Sequence, residues 1–130
     1  MTENEKKKVM IIDDDTLLLD MYGTKFENSG FEVIKCQNAE KCIAKLEEGC
    51  IPHILLFDMI MPGITGDILI KKIKENNYAK GAKMFVLSNQ GKESDIEDKI
   101  KELQVDGYIV KAMHTPSQVV EKVSKVLGVK

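Results

Sequence analysis

The chain has 130 residues and a formal net charge of −2, and 31% of its residues are charged. A chain of this length can bury roughly two thirds of the surface that it exposes when unfolded, which suffices for one complete hydrophobic core. We therefore expect a single domain over residues 1–130, with its core at about 8–127. The charge balance gives no basic field of the kind that attracts nucleic acid, so we expect no direct DNA or RNA partner.

The three cysteines, Cys36, Cys42 and Cys50, are odd in number and show no Cys-x-x-Cys spacing. This pattern indicates neither a disulfide framework nor a structural zinc site, and we expect reduced thiols in a cytoplasmic protein. Residues 1–8 are polar and charged, and no stretch of the sequence approaches about 18 consecutive apolar residues. We therefore expect no membrane partner.

Five short apolar runs alternate along the chain with amphipathic segments. This order is typical of an α/β fold in which a parallel sheet carries helices on both faces. The third run, Ile-Leu-Leu-Phe, is apolar at consecutive positions, as expected for a strand that is covered on both sides. The predicted strands are residues 8–13, 31–36, 53–57, 83–87 and 107–110.

The first amphipathic segment has Leu17, Leu18, Tyr22 and Phe26 near helical spacing, and it stops at Gly30. Glycine is typical of the position just after a helix, because it adopts a left-handed backbone without steric cost. We expect a helix that ends near Gly30, with Leu17, Leu18 and Tyr22 mostly in the core.

The second and third helices are less sharply marked. Asn38 is predicted to cap the second helix, since its side chain can accept a hydrogen bond from a free backbone amide of the first turn. The third helix is predicted over residues 67–77, with Ile68, Ile70 and Ile73 as its apolar anchors.

The last two helices begin with recognisable capping signals. Ser94 followed by Glu97 predicts a capping box at the fourth helix. Thr115, Pro116 and Gln118 combine a cap, a proline at the first helical position and a box partner, which predicts the start of the fifth helix.

Polar side chains follow four of the predicted strands. Asp13 and Asp14 follow the first strand, Asp58 the third, Ser88 the fourth and Lys111 the fifth. Ligand sites of such parallel sheets lie at the carboxyl ends of the strands, so these side chains should converge. Carboxylates suit Mg²⁺, which takes one or two of them together with phosphate oxygens. Asp58 can be a nucleophile, Lys111 a fixed positive charge and Ser88 a hydrogen-bond donor to a phosphoryl oxygen.

Asp15 has two open roles. It is either a third carboxylate of this group or the N-cap of the first helix, a position that aspartate suits well. The metal prediction rests on Asp13 and Asp14 with Asp58. Two unit charges about 4 Å apart repel by roughly 4 kcal/mol at an effective dielectric of about 20, so such crowding indicates a cation or a reaction.

Four motifs in order resemble the receiver domain of two-component response regulators, the CheY-like family. The resemblance runs from Val9 to about Leu127, and it implies a flavodoxin-like (βα)5 fold, three-layered and doubly wound, with strand order 2-1-3-4-5. The chain would then be a single receiver domain. The motifs are Ile-Ile-Asp13-Asp14-Asp15, Asp58-Met-Ile-Met61-Pro62 followed by Gly66, Val-Leu-Ser88, and Gly107-Tyr108-Ile-Val-Lys111.

The resemblance implies that Asp58 accepts a phosphoryl group from a phosphohistidine on a sensor histidine kinase or a histidine phosphotransfer protein. It implies Mg²⁺, with Mn²⁺ as a substitute, bound by Asp14, Asp58 and the backbone carbonyl of Ile60, while Asp13 holds a metal-bound water. Such a protein is a signalling phosphoacceptor that promotes its own phosphorylation and dephosphorylation, and it is not a classical enzyme.

The resemblance also implies a conformational switch. Lys111 would pair with the phosphoryl group, Ser88 would move to hydrogen-bond it, and Tyr108 would turn inward and alter the surface around the fourth helix and fifth strand. Since no output domain follows the fifth helix in this sequence, we expect output through a downstream protein target or phosphoryl relay. The resemblance further implies that a homodimer can form through the fourth and fifth helices.

Two residues depart from the family pattern. Ala112 follows Lys111 where the family has a proline after a cis peptide bond. A cis bond before a non-proline residue costs about 3 kcal/mol, so we predict a trans bond and a rearranged loop ending at Pro116. Asn89 follows Ser88 where the family has a small residue that guards access for the phosphoryl donor.

A second candidate function follows from these departures: a pseudo-receiver that has lost phosphorylation and acts as a constitutive protein-binding scaffold. A further expectation concerns Ile60 and Gln90, which match positions that tune hydrolysis of the phosphoryl group in the family. Because an apolar Ile60 side chain cannot orient an attacking water, we expect a long-lived phosphorylated state.

Overall fold

The protein forms a five-stranded parallel sheet in the order β2-β1-β3-β4-β5. The computed structural model describes residues 6–129, apart from the side chain of Glu93. The strands lie within one residue of the predicted bounds, and both the parallel topology and the strand order are confirmed. They are β1 (Lys8–Ile12), β2 (Glu32–Cys36), β3 (Ile54–Phe57), β4 (Lys83–Ser88) and β5 (Gly107–Val110).

Five helices cover the two faces of this sheet. Short 3-10 turns, Glu93–Asp95 and Lys111–Met113, precede the last two of them. The helices are α1 (Thr16–Asn28), α2 (Ala39–Glu47), α3 (Gly66–Glu75), α4 (Ile96–Leu103) and α5 (Pro116–Leu127).

The sheet separates two hydrophobic clusters because successive strand residues point to opposite faces. Met10 and Leu55 face α2, α3 and α4, whereas Val9 and Ile54 face α1 and α5. All four residues of β3 are buried, which explains its uninterrupted apolar sequence. The polar edge formed by the carboxyl ends of the strands is the part of the sheet that the helices leave for a site.

The predicted caps at Asn38 and Thr115 are confirmed by hydrogen bonds, and Asp15, whose role was left open, is also a cap. The Asp15 carboxylate accepts hydrogen bonds from two backbone amides at the start of α1, and Asn38 accepts one from the amide of Lys41 at 2.8 Å. The amide of Gln118 donates to the Thr115 hydroxyl at 3.2 Å while the Gln118 side chain accepts from the Thr115 amide at 2.8 Å. Polar side chains thus satisfy amides that have no partner within their own helix.

The end of α1 also follows the prediction. Gly30 has a φ of +92°. The amide of Gly30 donates to the carbonyl of Glu27, and the amide of Phe31 donates to the carbonyl of Phe26. This pair of bonds is a Schellman motif, which requires the left-handed backbone that glycine adopts without strain.

Three local predictions are wrong. The Ser94 and Glu97 capping box does not form, because Ser94 lies in a 3-10 turn and α4 begins at Ile96 without a side-chain cap. Leu17 is 80% exposed and Ile68 is 44% exposed. The buried stripe of α1 starts at Leu19, and that of α3 includes the neighbouring Leu69 instead, so both mispredicted side chains fall outside the face toward the sheet.

The Lys111–Ala112 peptide bond is trans, as predicted, and no cis bond occurs in residues 6–129. The chain after β5 makes one 3-10 turn and then enters α5 at Pro116. The loop therefore ends at Pro116, as predicted, and its rearrangement relative to the family stays a prediction.

None of the helices within residues 6–129 combines the length and apolar character needed to cross a bilayer. The longest, α1, has 13 residues, whereas a spanning helix needs about 20.

We predict that Thr115→Ala lowers the free energy of unfolding by about 1 kcal/mol, because the substitution removes the hydroxyl that caps α5. Urea unfolding followed by circular dichroism measures the change. Ser117→Ala is the matched control, since Ser117 is exposed in the same turn and should change stability by less than about 0.5 kcal/mol. Equal effects of the two substitutions would contradict the capping role.

Candidate functional site

The register of the central strands places two aspartates side by side. Ile12 of β1 pairs with Phe57 of β3, so the next residues, Asp13 and Asp58, leave the sheet together. The ladder continues through them, because the Asp58 amide donates to the carbonyl of Ile12 at 3.1 Å. The backbones of both acids are therefore held by the sheet, and only their side chains project into the site.

Strand register also brings Ser88 and Lys111 to the same edge of the sheet. Ser88 is the last residue of β4 and pairs with Val110, the last residue of β5. Lys111 comes one position later. Ser88 is buried, with 1% of its surface exposed, and the Lys111 side chain is 8% exposed.

The carboxylate of Asp58 is hydrogen-bonded at both oxygens. Its Oδ1 accepts from the Ser88 hydroxyl at 2.9 Å and from the Ile60 amide at 3.3 Å. Its Oδ2 accepts from Lys111 Nζ at 3.0 Å. These contacts fix the plane of the carboxylate, so Asp58 is oriented before any ligand arrives.

Asp13 is the buried acid of the group, with 2% of its surface exposed. Its Oδ2 accepts from Lys111 Nζ at 2.6 Å, and its Oδ1 accepts from the Asp15 amide at 2.9 Å. A single ammonium group therefore bridges Asp13 and Asp58.

Burial and charge pull the pKa values of these groups in opposite directions. Desolvation raises the pKa of Asp13 above its ordinary 3.8, although hydrogen bonds from Lys111 and the Asp15 amide oppose the rise. For Lys111, burial favours a lower pKa, but hydrogen bonds to Asp13 and Asp58 outweigh burial, and the pKa lies above its ordinary 10.5. Lys111 is therefore a fixed positive charge at neutral pH.

Asp13, Asp14 and Asp58 each offer an oxygen within 4.8 Å of the others. The three carboxylates face one ammonium group, which leaves an excess of negative charge. All-oxygen donors of this kind suit a hard divalent cation, and Asp14 is exposed, so one side of the group is open to solvent. The donor set thus fits Mg²⁺. Asp15 does not join the group, because its carboxylate caps α1, which decides between its two open roles.

Ile60 lies at the rim of the site. Its side chain is 63% exposed, and its backbone amide is the group that contacts Asp58. The predicted metal contact of its backbone carbonyl stays a prediction.

Tyr108 connects the site to the loop after β4. Only 7% of its surface is exposed, and its hydroxyl donates to the backbone carbonyl of Gln90. The Gln90 amide in turn donates to the Ser88 hydroxyl at 3.2 Å. Burial raises the pKa of Tyr108 above its ordinary 10.0, so the hydroxyl keeps its proton at neutral pH. Tyr108 thus already lies inward while Ser88 contacts Asp58, whereas we expected from the sequence that Tyr108 turns inward only when Ser88 moves.

One contact was missed from the sequence. The side-chain oxygen of Asn89 accepts a hydrogen bond from the amide of Ala112 at 2.8 Å. The sequence identified both residues as departures but did not connect them. A signal was present, because replacing proline with alanine restores an N–H group that can donate a hydrogen bond.

Comparison with known proteins gives a consistent assignment. Residues 9–124 match the model of the response regulator receiver domain. The chain is 27% identical over 123 residues to the phosphate regulon transcriptional regulatory protein PhoB of Pseudomonas aeruginosa, covering 93% of this chain and 52% of that protein. It is 26% identical over 122 residues to the chemotaxis protein CheY1 of Helicobacter pylori, covering 93% and 97%. The chain thus spans about half the length of the PhoB protein that it matches.

The structure gives the same result. A CheY-like response regulator receiver domain from Methanospirillum hungatei superimposes with a TM-score of 0.81 at 27% identity, with 95% of each chain covered. A response regulator from Chloroflexus aurantiacus shares the fold with a TM-score of 0.81 at 24% identity. Because the family model matches most of the chain and the strand order and motifs agree with it, the protein belongs to the response regulator receiver domains of two-component systems.

Proposed function

We propose that this receiver accepts a phosphoryl group on Asp58 from a phosphohistidine donor, in a reaction that depends on Mg²⁺. The observation that carries the proposal is the pair of contacts on Asp58, with Ser88 on one oxygen and Lys111 on the other. A carboxylate oriented in this way beside two further acids is poised for nucleophilic attack.

In the proposed reaction an Asp58 oxygen attacks phosphorus, a new O–P bond forms and the P–N bond to the donor histidine breaks. The electron pair of the broken bond returns to the imidazole. Lys111 and Ser88 can then transfer their hydrogen bonds from the carboxylate to the phosphoryl oxygens. Both donors are in place before the reaction, so little reorganisation is needed.

The proposed ligands of the cation are Asp14, Asp58 and the backbone carbonyl of Ile60, with Asp13 acting through a water molecule. When bound, Mg²⁺ would neutralise charge on the carboxylates and on the incoming phosphoryl group. The excess of acids over bases supports this part of the proposal, since Lys111 alone does not balance three carboxylates.

The proposed output is a change of surface around α4 and β5. Ser88, the Gln90 backbone and Tyr108 form one hydrogen-bonded chain. If Ser88 moves toward a phosphoryl oxygen, the Gln90 amide and then the Tyr108 hydroxyl must adjust. The proposed response is altered binding of a downstream protein, with α4 and α5 as the surface for a homodimer.

The proposed donor is a sensor histidine kinase or a histidine phosphotransfer protein, acting in the cytoplasm. We class the chain as a signalling phosphoacceptor that promotes its own phosphorylation and dephosphorylation. The contacts on Asp58 do not favour the scaffold function that Asn89 and Ala112 raised, because Ser88 and Lys111 both contact its carboxylate.

The direct test is intact mass after incubation with Mg²⁺ and a small phosphodonor. We expect the wild type to gain the mass of one phosphoryl group, and chelation of the metal to prevent it. Asp58→Asn should abolish the gain because the nucleophile is lost, whereas Asp98→Asn, which alters an exposed residue of α4, should not change it. No gain with either the small donor or a cognate kinase would favour the scaffold.

A second prediction follows from the raised pKa of Asp13. The folded protein holds a proton on Asp13 more tightly than the unfolded chain, so ionisation of Asp13 lowers stability as the pH rises from about 4 toward neutrality. Asp13→Asn removes this penalty. In metal-free buffer, the unfolding free energy of Asp13→Asn relative to wild type should therefore be higher at pH 7 than at pH 4.5 in urea titrations. A difference that does not vary with pH would contradict it.

A third prediction concerns Ile60. We expect Ile60→Asn to speed dephosphorylation about fivefold, because an amide can orient the attacking water through one hydrogen bond of about 1 kcal/mol. Loss of the phosphorylated mass over time gives the rate. Ile68→Asn is the matched control, since Ile68 is also exposed but lies on α3. An unchanged rate in Ile60→Asn would refute the role of this side chain.

A further inference from the structure

Two loops flank Asp58, and each carries one of the groups that hold its carboxylate. Ser88, which contacts Oδ1, is followed directly by Asn89. Lys111, which contacts Oδ2, is followed directly by Ala112. Asn89 and Ala112 are joined by a hydrogen bond of 2.8 Å, although 23 residues separate them in sequence. The two segments that contact the Asp58 carboxylate are therefore joined by a hydrogen bond one residue beyond Ser88 and Lys111.

We propose that Asn89 is a positioning residue: by accepting the Ala112 amide hydrogen, its side chain fixes the Ser88 and Lys111 loops relative to each other. The groups contacting the two Asp58 oxygens are thereby held at a constant separation. The proposal rests on the proposed phosphorylation of Asp58 for its effect on rate, while its effect on loop geometry stands independently.

Ala112 and Asn89 are both exposed, so the bond between them takes the place of a bond from the Ala112 amide to water. Ala112 lies in the first turn of the 3-10 segment Lys111–Met113, where backbone amides have no acceptor within the segment. The carbonyls on this loop are engaged from the other side, because the His114 amide donates to the carbonyl of Lys111 at 3.3 Å and the His114 ring lies 2.9 Å from the carbonyl of Val110. Within residues 6–129, the Ala112 amide donates to the side-chain oxygen of Asn89 alone.

The Ser88 loop is braced in a complementary way. The Gln90 amide donates to the Ser88 hydroxyl, and the Gln90 carbonyl accepts from Tyr108. These contacts hold the loop to its own strand and to β5, but they do not reach the segment that follows Lys111. The Asn89 side chain makes that connection.

A competing account is that Asn89 acts through its size, by narrowing the access of the phosphodonor. Two substitutions separate the accounts. Asn89→Leu keeps a side chain of similar volume but has no acceptor, whereas Asn89→Ala removes both volume and acceptor. Positioning predicts that the two variants behave alike, and a size effect predicts that they differ.

The first measurement uses the unphosphorylated protein and the exchange of backbone amides with solvent, followed by NMR. We expect the Ala112 amide to exchange about fivefold faster or more in Asn89→Leu and Asn89→Ala, as the loss of one hydrogen bond implies. The Gln90 amide should also exchange faster, because loss of the Asn89–Ala112 hydrogen bond makes the loop after Ser88 more mobile. Asn89→Asp retains an acceptor oxygen and should keep the Ala112 amide protected.

The matched control is Asn38→Leu. Asn38 accepts from the Lys41 amide, also at 2.8 Å, at the start of α2. This variant removes the same kind of bond away from the site, so it should speed exchange at Lys41 and leave Ala112 and Gln90 unchanged. Unchanged exchange at Ala112 or at Gln90 in both Asn89→Leu and Asn89→Ala would overturn the proposal.

The second measurement is the phosphorylation rate as a function of the concentration of a small phosphodonor with Mg²⁺ present. Positioning predicts that Asn89→Leu and Asn89→Ala both lower the maximal rate constant about fivefold, with little change in the half-saturating concentration, and that Asn38→Leu matches wild type. A wild-type rate in Asn89→Leu with a faster rate in Asn89→Ala would establish the size effect and overturn positioning. If the wild type itself gains no phosphoryl group, the proposed function fails, while amide exchange still decides whether Asn89 positions the loops.

Discussion

The site depends on the two ion pairs of Lys111. Its ammonium group contacts Asp13 at 2.6 Å and Asp58 at 3.0 Å simultaneously. The three side chains are only 3% to 14% exposed, so water screens their charges little. Burying ions has a desolvation cost that their mutual attraction often fails to exceed, so this bridge is poor evidence of stability in itself. The bridge instead organises the site, since it holds two acids that would repel each other at fixed positions around the Lys111 ammonium group.

The parts of this arrangement that follow from local sequence were predictable. Apolar runs define strands, and polar residues that end those runs must meet at the carboxyl edge of a parallel sheet. Asp58, Ser88 and Lys111 were placed together for this reason, and strand register sets the positions of their backbones. The cap at Thr115 was equally accessible, because a capping bond joins residues within one turn, whereas the role of Asp15 stayed open until the structure showed its bonds.

The features that the sequence did not reveal depend on how elements meet in space. Leu17 and Ile68 are apolar residues on helices, but their exposure is set by the rotation of α1 and α3 against the sheet. The predicted capping box at Ser94 does not form, because a 3-10 turn occupies Glu93–Asp95 and α4 begins only at Ile96. The bond from Ala112 to Asn89 joins two loops whose separation only the folded sheet determines. Propensity is a weak guide wherever tertiary packing decides the outcome.

The charge at the carboxyl edge of the sheet affects the order in which a cation and a phosphodonor would approach the site. Three carboxylates and one ammonium group leave two negative charges at the site, equal to the formal net charge of the whole chain. This edge of the sheet therefore carries a local excess of negative charge. Such an excess would attract a divalent cation and would repel an anionic phosphodonor until a cation is bound. Since the field extends only about one Debye length, near 8 Å in physiological salt, rising ionic strength should weaken both the attraction and the repulsion.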